Sequence, residues 1–424
     1  MTVKDRQGLE LSGATAAAGA LYRDAVGEYH CYAGAPFPRL RAALADSPGF
    51  VMAHVLKAYM TLVGTDPSTR SLGVQAVQIA KSLATNTREA GHVAAVSAMM
   101  AGEFRAAGRI LEDLTIAHPH DVLALQTGQL MDFLVGDSRM LRDRIARALP
   151  DWSDGMPDYH AVLGQYAFGL EETGDYHRAE AAGRRAIDLQ PRNGWAQHAV
   201  AHVLEMQDRR TDGVAWMTAD THAWTHESFF AIHNWWHLAL FHLGLGDTHE
   251  VLRLYDGPIY GEGSTMAFDL VDAAALLWRL KLRGVDVGGR WDGLADTYAA
   301  QPRGLNAFDD VHATLALVGA GRDAGPTIQA MVTVAAGSGE NAAVTREIGL
   351  PISQAIVAFG RADFAGSVDL LRKVRNRAAA FGGSHAQRDL LDLTLIAAAG
   401  RSGDTSLERA LIAERAAAIP LARA

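Results

Sequence analysis

Cysteine is nearly absent: Cys31 is the only one in 424 residues. No intrachain disulfide can form, which points to a reducing compartment and a cytoplasmic protein. The N-terminus, MTVKDRQGLELSGATAAAG, carries early charges of both signs and no continuous apolar stretch, so no signal peptide is expected. No uninterrupted apolar run approaches the roughly 18 residues of a membrane span, so no membrane partner is expected. Basic residues are the minority, 39 against 48 acidic, giving a formal charge of −9. Phosphate backbones need a positive surface, so nucleic acid is not an expected partner. Strand signals are scarce, since Asp256-Gly257 and Asp292-Gly293 occur singly and join no alternating runs. There is also no Walker loop, no GxSxG elbow, no dinucleotide fingerprint and no HExxH. Nucleotide cofactors and the common hydrolase motifs are thereby set aside.

Apolar residues make up 49% and charged residues 21%, the balance of a folded chain. A single compact core stops growing near roughly 250–300 residues, so this length requires several domains or a repeat array. The fragment TGDYHRAEAAGRRAIDLQPRNGW (173–195) favours the array. It has a tight turn at Gly174-Asp175-Tyr176, small residues Ala179, Ala182 and Ala186 at helical spacing, and Pro191 to end the helix. Similar turns occur at Gly102-Glu103, Gly136-Asp137, Gln207-Asp208, Gly246-Asp247 and Ala362-Asp363. Steps near 34 residues with one helix–turn–helix per step resemble the tetratricopeptide repeat.

The helix before each turn is here termed A and the one after it B. A helices are expected near 13–32, 49–63, 88–101, 121–135, 159–173, 194–207, 229–244, 266–282, 306–319, 350–360 and 385–399. Loops are expected at 150–158, 256–264 and 284–290. Asn193 reads as the N-cap of the 194–207 helix, and Ser384 with Gln387 as a capping box for the last A helix. The whole of 1–424 is expected to be one continuous all-α solenoid of antiparallel helix pairs, a right-handed superhelix curled around a concave pocket. Residues 1–158 would hold the more divergent repeats, and 159–424 those carrying the polar site.

Polar groups are concentrated on the A helices. His198 and His202 are four apart with Glu205 three further on, and His233 and His237 repeat the spacing. On a helix, offsets of four and seven stay within roughly 60° of each other, so each set points one way. Three readings stand open. The two His pairs, with Glu205 or Asp272, offer ligands for Zn or Fe. Alternatively, a His oriented by a carboxylate serves acid–base chemistry in a pocket. The third reading is that these groups only satisfy one another and fix helix register. Trp195, Trp216, Trp224, Trp235 and Trp236 cluster nearby as core or pocket wall, and Arg388 beside Asp389 is suited to gripping an anion. Cys31 has no activating base nearby in sequence, and 361–377 reads as a solvated Arg-rich B face.

The segments AQHAVAHVLEM (196–206), HNWWHLAL (233–240), DLVDAAALLWRLKLRGVDVGGRW (269–291), FDDVH (308–312), GLPISQAIVAF (349–359) and GGSHAQRDLLDLTLIAAA (382–399) together resemble the tetratricopeptide-repeat protein 38 family and its bacterial relatives. The resemblance implies an α-solenoid of divergent repeats and brings no settled activity. It picks out His198, His202, Glu205, His233, Asn234, His237, Asp269, Asp272, Asp310, His312, Arg388 and Asp389. Expected roles follow: proton transfer or metal ligation by His198, His202, His233 and His237, with Glu205 and Asp272 orienting them. Asn234, Trp236, Asp269, Asp310, His312, Arg388 and Asp389 would contact a small polar molecule, in a hydrolase- or lyase-type reaction. The competing expectation is a scaffold that takes a peptide or protein terminus in its groove. A homodimer is compatible with either.

Overall fold

The computed structural model describes residues 2–64 and 67–418. All regular elements among them are helical, and the only extended pairings are isolated bridges, Lys4 with Glu10 and Ala33 with Ser228. The expected A helices stand at Ala16–Cys31, Val51–Leu62, Thr87–Met100, Val122–Leu134, Tyr159–Glu171, Gly194–Met206, Ala231–Leu245, Ala267–Leu282, Ala307–Gly319, Leu350–Gly360 and His385–Ser402. No described helix is long and apolar enough to cross a membrane.

The repeating turn has a simple construction. Gly102, Gly136, Gly174 and Gly246 lie at φ between 71° and 82°, the left-handed conformation that ends a helix. Asp208 and Ala362 adopt it without glycine, at φ 56° and 60°. The aspartate that follows at 137, 175, 247 or 363 then caps the next helix, its side chain accepting the N–H of Met140, Arg178, Glu250 or Gly366. A single Gly-Asp pair thus stops one helix and starts its partner.

In the Tyr176–Leu189 helix, Ala179 and Ala186 are buried as expected, whereas Ala182 is half-buried and Gly183 takes the close contact. A Cβ on Gly183 would stand 2.5 Å from Val200 Cγ2, so only glycine fits there without a shift. Asn193 accepts the N–H of Ala196 at 3.0 Å, and the Ser384–Gln387 capping box is present. The expected loop at 256–264 begins inside a π turn, Tyr255–Ile259, in which Gly257 leaves helical geometry at φ −104° and ψ −106° and the Tyr260 N–H bonds back to the Tyr255 carbonyl. The expected loop at 150–158 likewise begins inside a short 3₁₀ turn, Leu149–Asp151.

The chain forms two compact units, one of Met1–Val203 with Ala219–Ala231 and one of Leu204–Thr218 with Ile232–Ala424. Within the first unit distant segments are tied together. Arg6 and Gln7 bind the Asp158 carboxylate at 3.2 and 2.8 Å, and the Ser228 hydroxyl donates to the Tyr32 carbonyl at 3.1 Å. Within the second, Ala267–Leu282 packs on both Ala307–Gly319 and His385–Ser402. There Trp278 Nε1–H donates to Thr394 Oγ1 at 3.0 Å, and Arg279 donates to the Ala386 carbonyl at 2.6 Å.

Candidate functional site

In the first unit, His198 and His202 lie one turn apart on Gly194–Met206, their ring centroids separated by 4.3 Å. Both are buried. An aromatic wall surrounds them: Phe168 stacks on His198 at 5.5 Å and meets His202 edge-on at 5.4 Å. Trp195 and Phe230 close on His198 at 5.1 Å each. His202 Nδ1 stands 3.5 Å from Glu171 Oε2. Glu171 is the last residue of Tyr159–Glu171, and Glu172 is its C-cap; both are buried. Glu171, Glu172 and His202 each bring one potential ligand atom within 4.8 Å of the others. A cavity of about 10 Å³ opens beside Trp195, lined by His30, Tyr32, Gln126 and Gln165 among others, room for one water.

In the second unit, His233 Nδ1–H donates to Asp272 Oδ2 at 2.8 Å, and both groups are buried. That hydrogen bond fixes the tautomer, leaving Nε2 as the basic nitrogen. His237 stands edge-on to His233 at 4.9 Å, and the Trp236 ring stacks on His233 at 5.4 Å. Asn234, the next residue on this helix, is buried. Asp269, one turn before Asp272, accepts the Ser264 hydroxyl at 2.6 Å. Burial pushes the Asp269 carboxyl up to about 6; Asp272 adds to the rise, while Ser264 and His233 oppose it. The dyad therefore has beside it a carboxyl that holds its proton into mildly acidic solution.

The remaining expected residues are held by local partners. Trp236 is fully buried, with the Arg279 guanidinium 5.4 Å above its ring, a core position as well as a wall of the His233 site. Asp310 accepts the Gly304 N–H with both oxygens, and burial pushes it up to about 6 against that bond and Arg303. His312 donates to the Phe308 carbonyl one turn back; burial lowers it to about 4, with Arg279 adding to the fall. Arg388 donates to the Gly383 carbonyl, and Asp389 is gripped bidentately by Arg415 at 2.7 and 2.8 Å.

Glu205 belongs to the second unit. Burial pushes its carboxyl up to about 7 and Asp389 adds to this, while Arg210, Arg279 and Arg415 pull it down. Because the folded form holds this proton above the ordinary 4.5, the contribution is full below pH 4.5 and is lost as pH rises through 7. Glu205→Gln should therefore match the parent in urea titrations near pH 4 and exceed it at pH 8, by up to about 3 kcal/mol at 1.36 kcal/mol per unit. A stability difference that does not change with pH would contradict this.

Glu171, Glu172, Arg279 and Arg415 were missed by sequence reasoning. Arg279 carried a signal, being a lone cation inside the apolar run LVDAAALLWRL. The two glutamates directly precede Thr173 and the Gly174 turn, and no local pattern marks them. No known protein-family model matches the chain.

Proposed function

We propose that this is a divergent tetratricopeptide-type protein of the protein 38 kind, a right-handed superhelix whose inward A helices bind a small polar molecule in the cytoplasm. In this reading His233 acts on that molecule as a general base, oriented by Asp272, in a hydrolysis or elimination. The observation that carries it is the buried 2.8 Å bond between His233 and Asp272. A carboxylate accepting from Nδ1–H orients the ring and stabilises the imidazolium formed when a proton is taken. Asp269, raised to about 6, is the matching acid that returns a proton to the leaving group. The His-and-acid character of the A helices supports a small ligand over a peptide terminus, whose carboxylate is better held by Lys, Arg and Asn.

Native mass spectrometry of the purified chain, followed by release of bound material under denaturing conditions, tests the reading. A small polar molecule should co-purify in equimolar amount and be lost from Asp272→Asn. Recovery of a peptide, or of the same molecule from both proteins, would refute the assignment of this site.

A further inference from the structure

The helix Tyr159–Glu171 ends on two consecutive acids. Its last residue and its C-cap are both glutamates, placed where the backbone dipole is already negative. Both are buried, so water does little to screen them. Their position is also fixed. Gly169 lies so close to the neighbouring backbone that a Cβ would stand 2.3 Å from the Leu141 carbonyl oxygen. The chain then turns through Thr173, whose hydroxyl donates to the Gly169 carbonyl at 2.8 Å, and through left-handed Gly174. The Tyr176 phenol is pushed up by burial and further by Glu171 and Glu172. A third donor, the His202 imidazole, is delivered to the same point by Gly194–Met206.

We propose that Glu171, Glu172 and His202 bind one first-row divalent cation. The ligand atoms lie within 4.8 Å of one another, and His202 Nδ1 is 3.5 Å from Glu171 Oε2. Two donors at roughly 2.0–2.1 Å in a tetrahedral shell stand about 3.3 Å apart, so small side-chain rotations close the set. Two carboxylates balance the charge of a divalent ion. Two oxygens and an imidazole nitrogen suit Zn²⁺ or Mn²⁺, whereas Ca²⁺ and Mg²⁺ favour oxygen shells. Three protein ligands leave a position for water or for an anionic oxygen of a substrate. The assignment does not rest on the His233–Asp272 reading.

The test uses the full chain, stripped with EDTA and titrated separately with Zn²⁺, Mn²⁺ and Ca²⁺, with calorimetry and elemental analysis as readouts. The parent should retain one Zn²⁺ or Mn²⁺ per chain and bind Ca²⁺ far more weakly. Glu172→Gln should weaken binding by about 100-fold or more, beyond the 10–100-fold typical of losing an outer-shell partner. Its helical circular dichroism should be unchanged, and its metal-free Tm at or above the parent's. Added Zn²⁺ should raise the Tm of the parent and not that of Glu172→Gln. His222 and His226, an exposed pair with rings 4.9 Å apart, provide the control: replacing both with Ala should leave binding intact. No ion retained by the parent, unchanged affinity in Glu172→Gln, or loss of the ion in the His222/His226 variant overturns the assignment.

Discussion

Asp272→Asn should lower kcat/KM for the small molecule by about 10²–10⁴-fold, the range for loss of a positioned acid–base group, with little change in stability. The substitution keeps the shape of the side chain and its capacity to hydrogen-bond His233 Nδ1. What it removes is the charge. An amide that presents its NH₂ to Nδ1 drives the proton to Nε2, so the ring offers a donor where a base is needed. The 2.8 Å contact survives in altered form, and the stability loss should stay near the roughly 1 kcal/mol of an ordinary hydrogen bond. Kinetics of the parent, Asp272→Asn and His233→Gln, paired with thermal melts, would decide the matter. If His233 and Asp272 are only a structural pair, Tm should fall in both variants while ligand binding and turnover stay at the parent level.

Asp121→Ala should have the larger effect on stability, with a loss of about 3–5 kcal/mol as expected when a buried ion pair keeps only one partner. Asp121 is buried and serves three groups at once. It accepts from Arg88 Nη1 at 2.8 Å, from His92 Nε2–H at 2.9 Å and from the N–H of Ala124 at 3.0 Å as a helix cap. His92 Nδ1 in turn accepts the Tyr59 hydroxyl at 2.8 Å. Alanine would strand a guanidinium and an imidazole away from water and uncap Val122–Leu134. Against a typical total of about 5–15 kcal/mol this is a large fraction. The pH dependence has a definite sign. Burial pushes the carboxyl up, but His92 and Arg88 outweigh it and hold it well below its ordinary 3.8. Its contribution is therefore present above pH 3.8 and lost as pH falls further, so the difference between parent and Asp121→Ala should shrink in strong acid. Urea unfolding at pH 7 and pH 2 would show it; parent-like stability at pH 7 would refute it.

The expectation that both His pairs serve one ion has its own measurement. Zn²⁺ affinity in His233→Ala and His237→Ala, set beside Glu172→Gln, separates a shared shell from one confined to Glu171, Glu172 and His202.

The helices were legible in the sequence because their causes are local. A Gly-Asp pair ends one helix with a left-handed residue and caps the next, and Asn193 and Ser384 act on backbone groups three residues away. The A-helix placement of His198, His202, His233, His237 and Asp272 was legible for the same reason, since helical spacing alone puts such residues on one face. What each group meets was not legible. Glu171 and His202 are 31 residues apart, and Asp389 finds Arg415 beyond the last A helix. Arg279 reaches the Ala386 carbonyl across 107 residues. The sequence by itself determined the helices, their caps and which faces carry polar groups, because hydrogen bonds within a few residues set all of these. Tertiary structure alone decided which carboxylates are buried, which histidine each one faces and which cations are already engaged, because these depend on how separate helices pack and how far water is excluded between them.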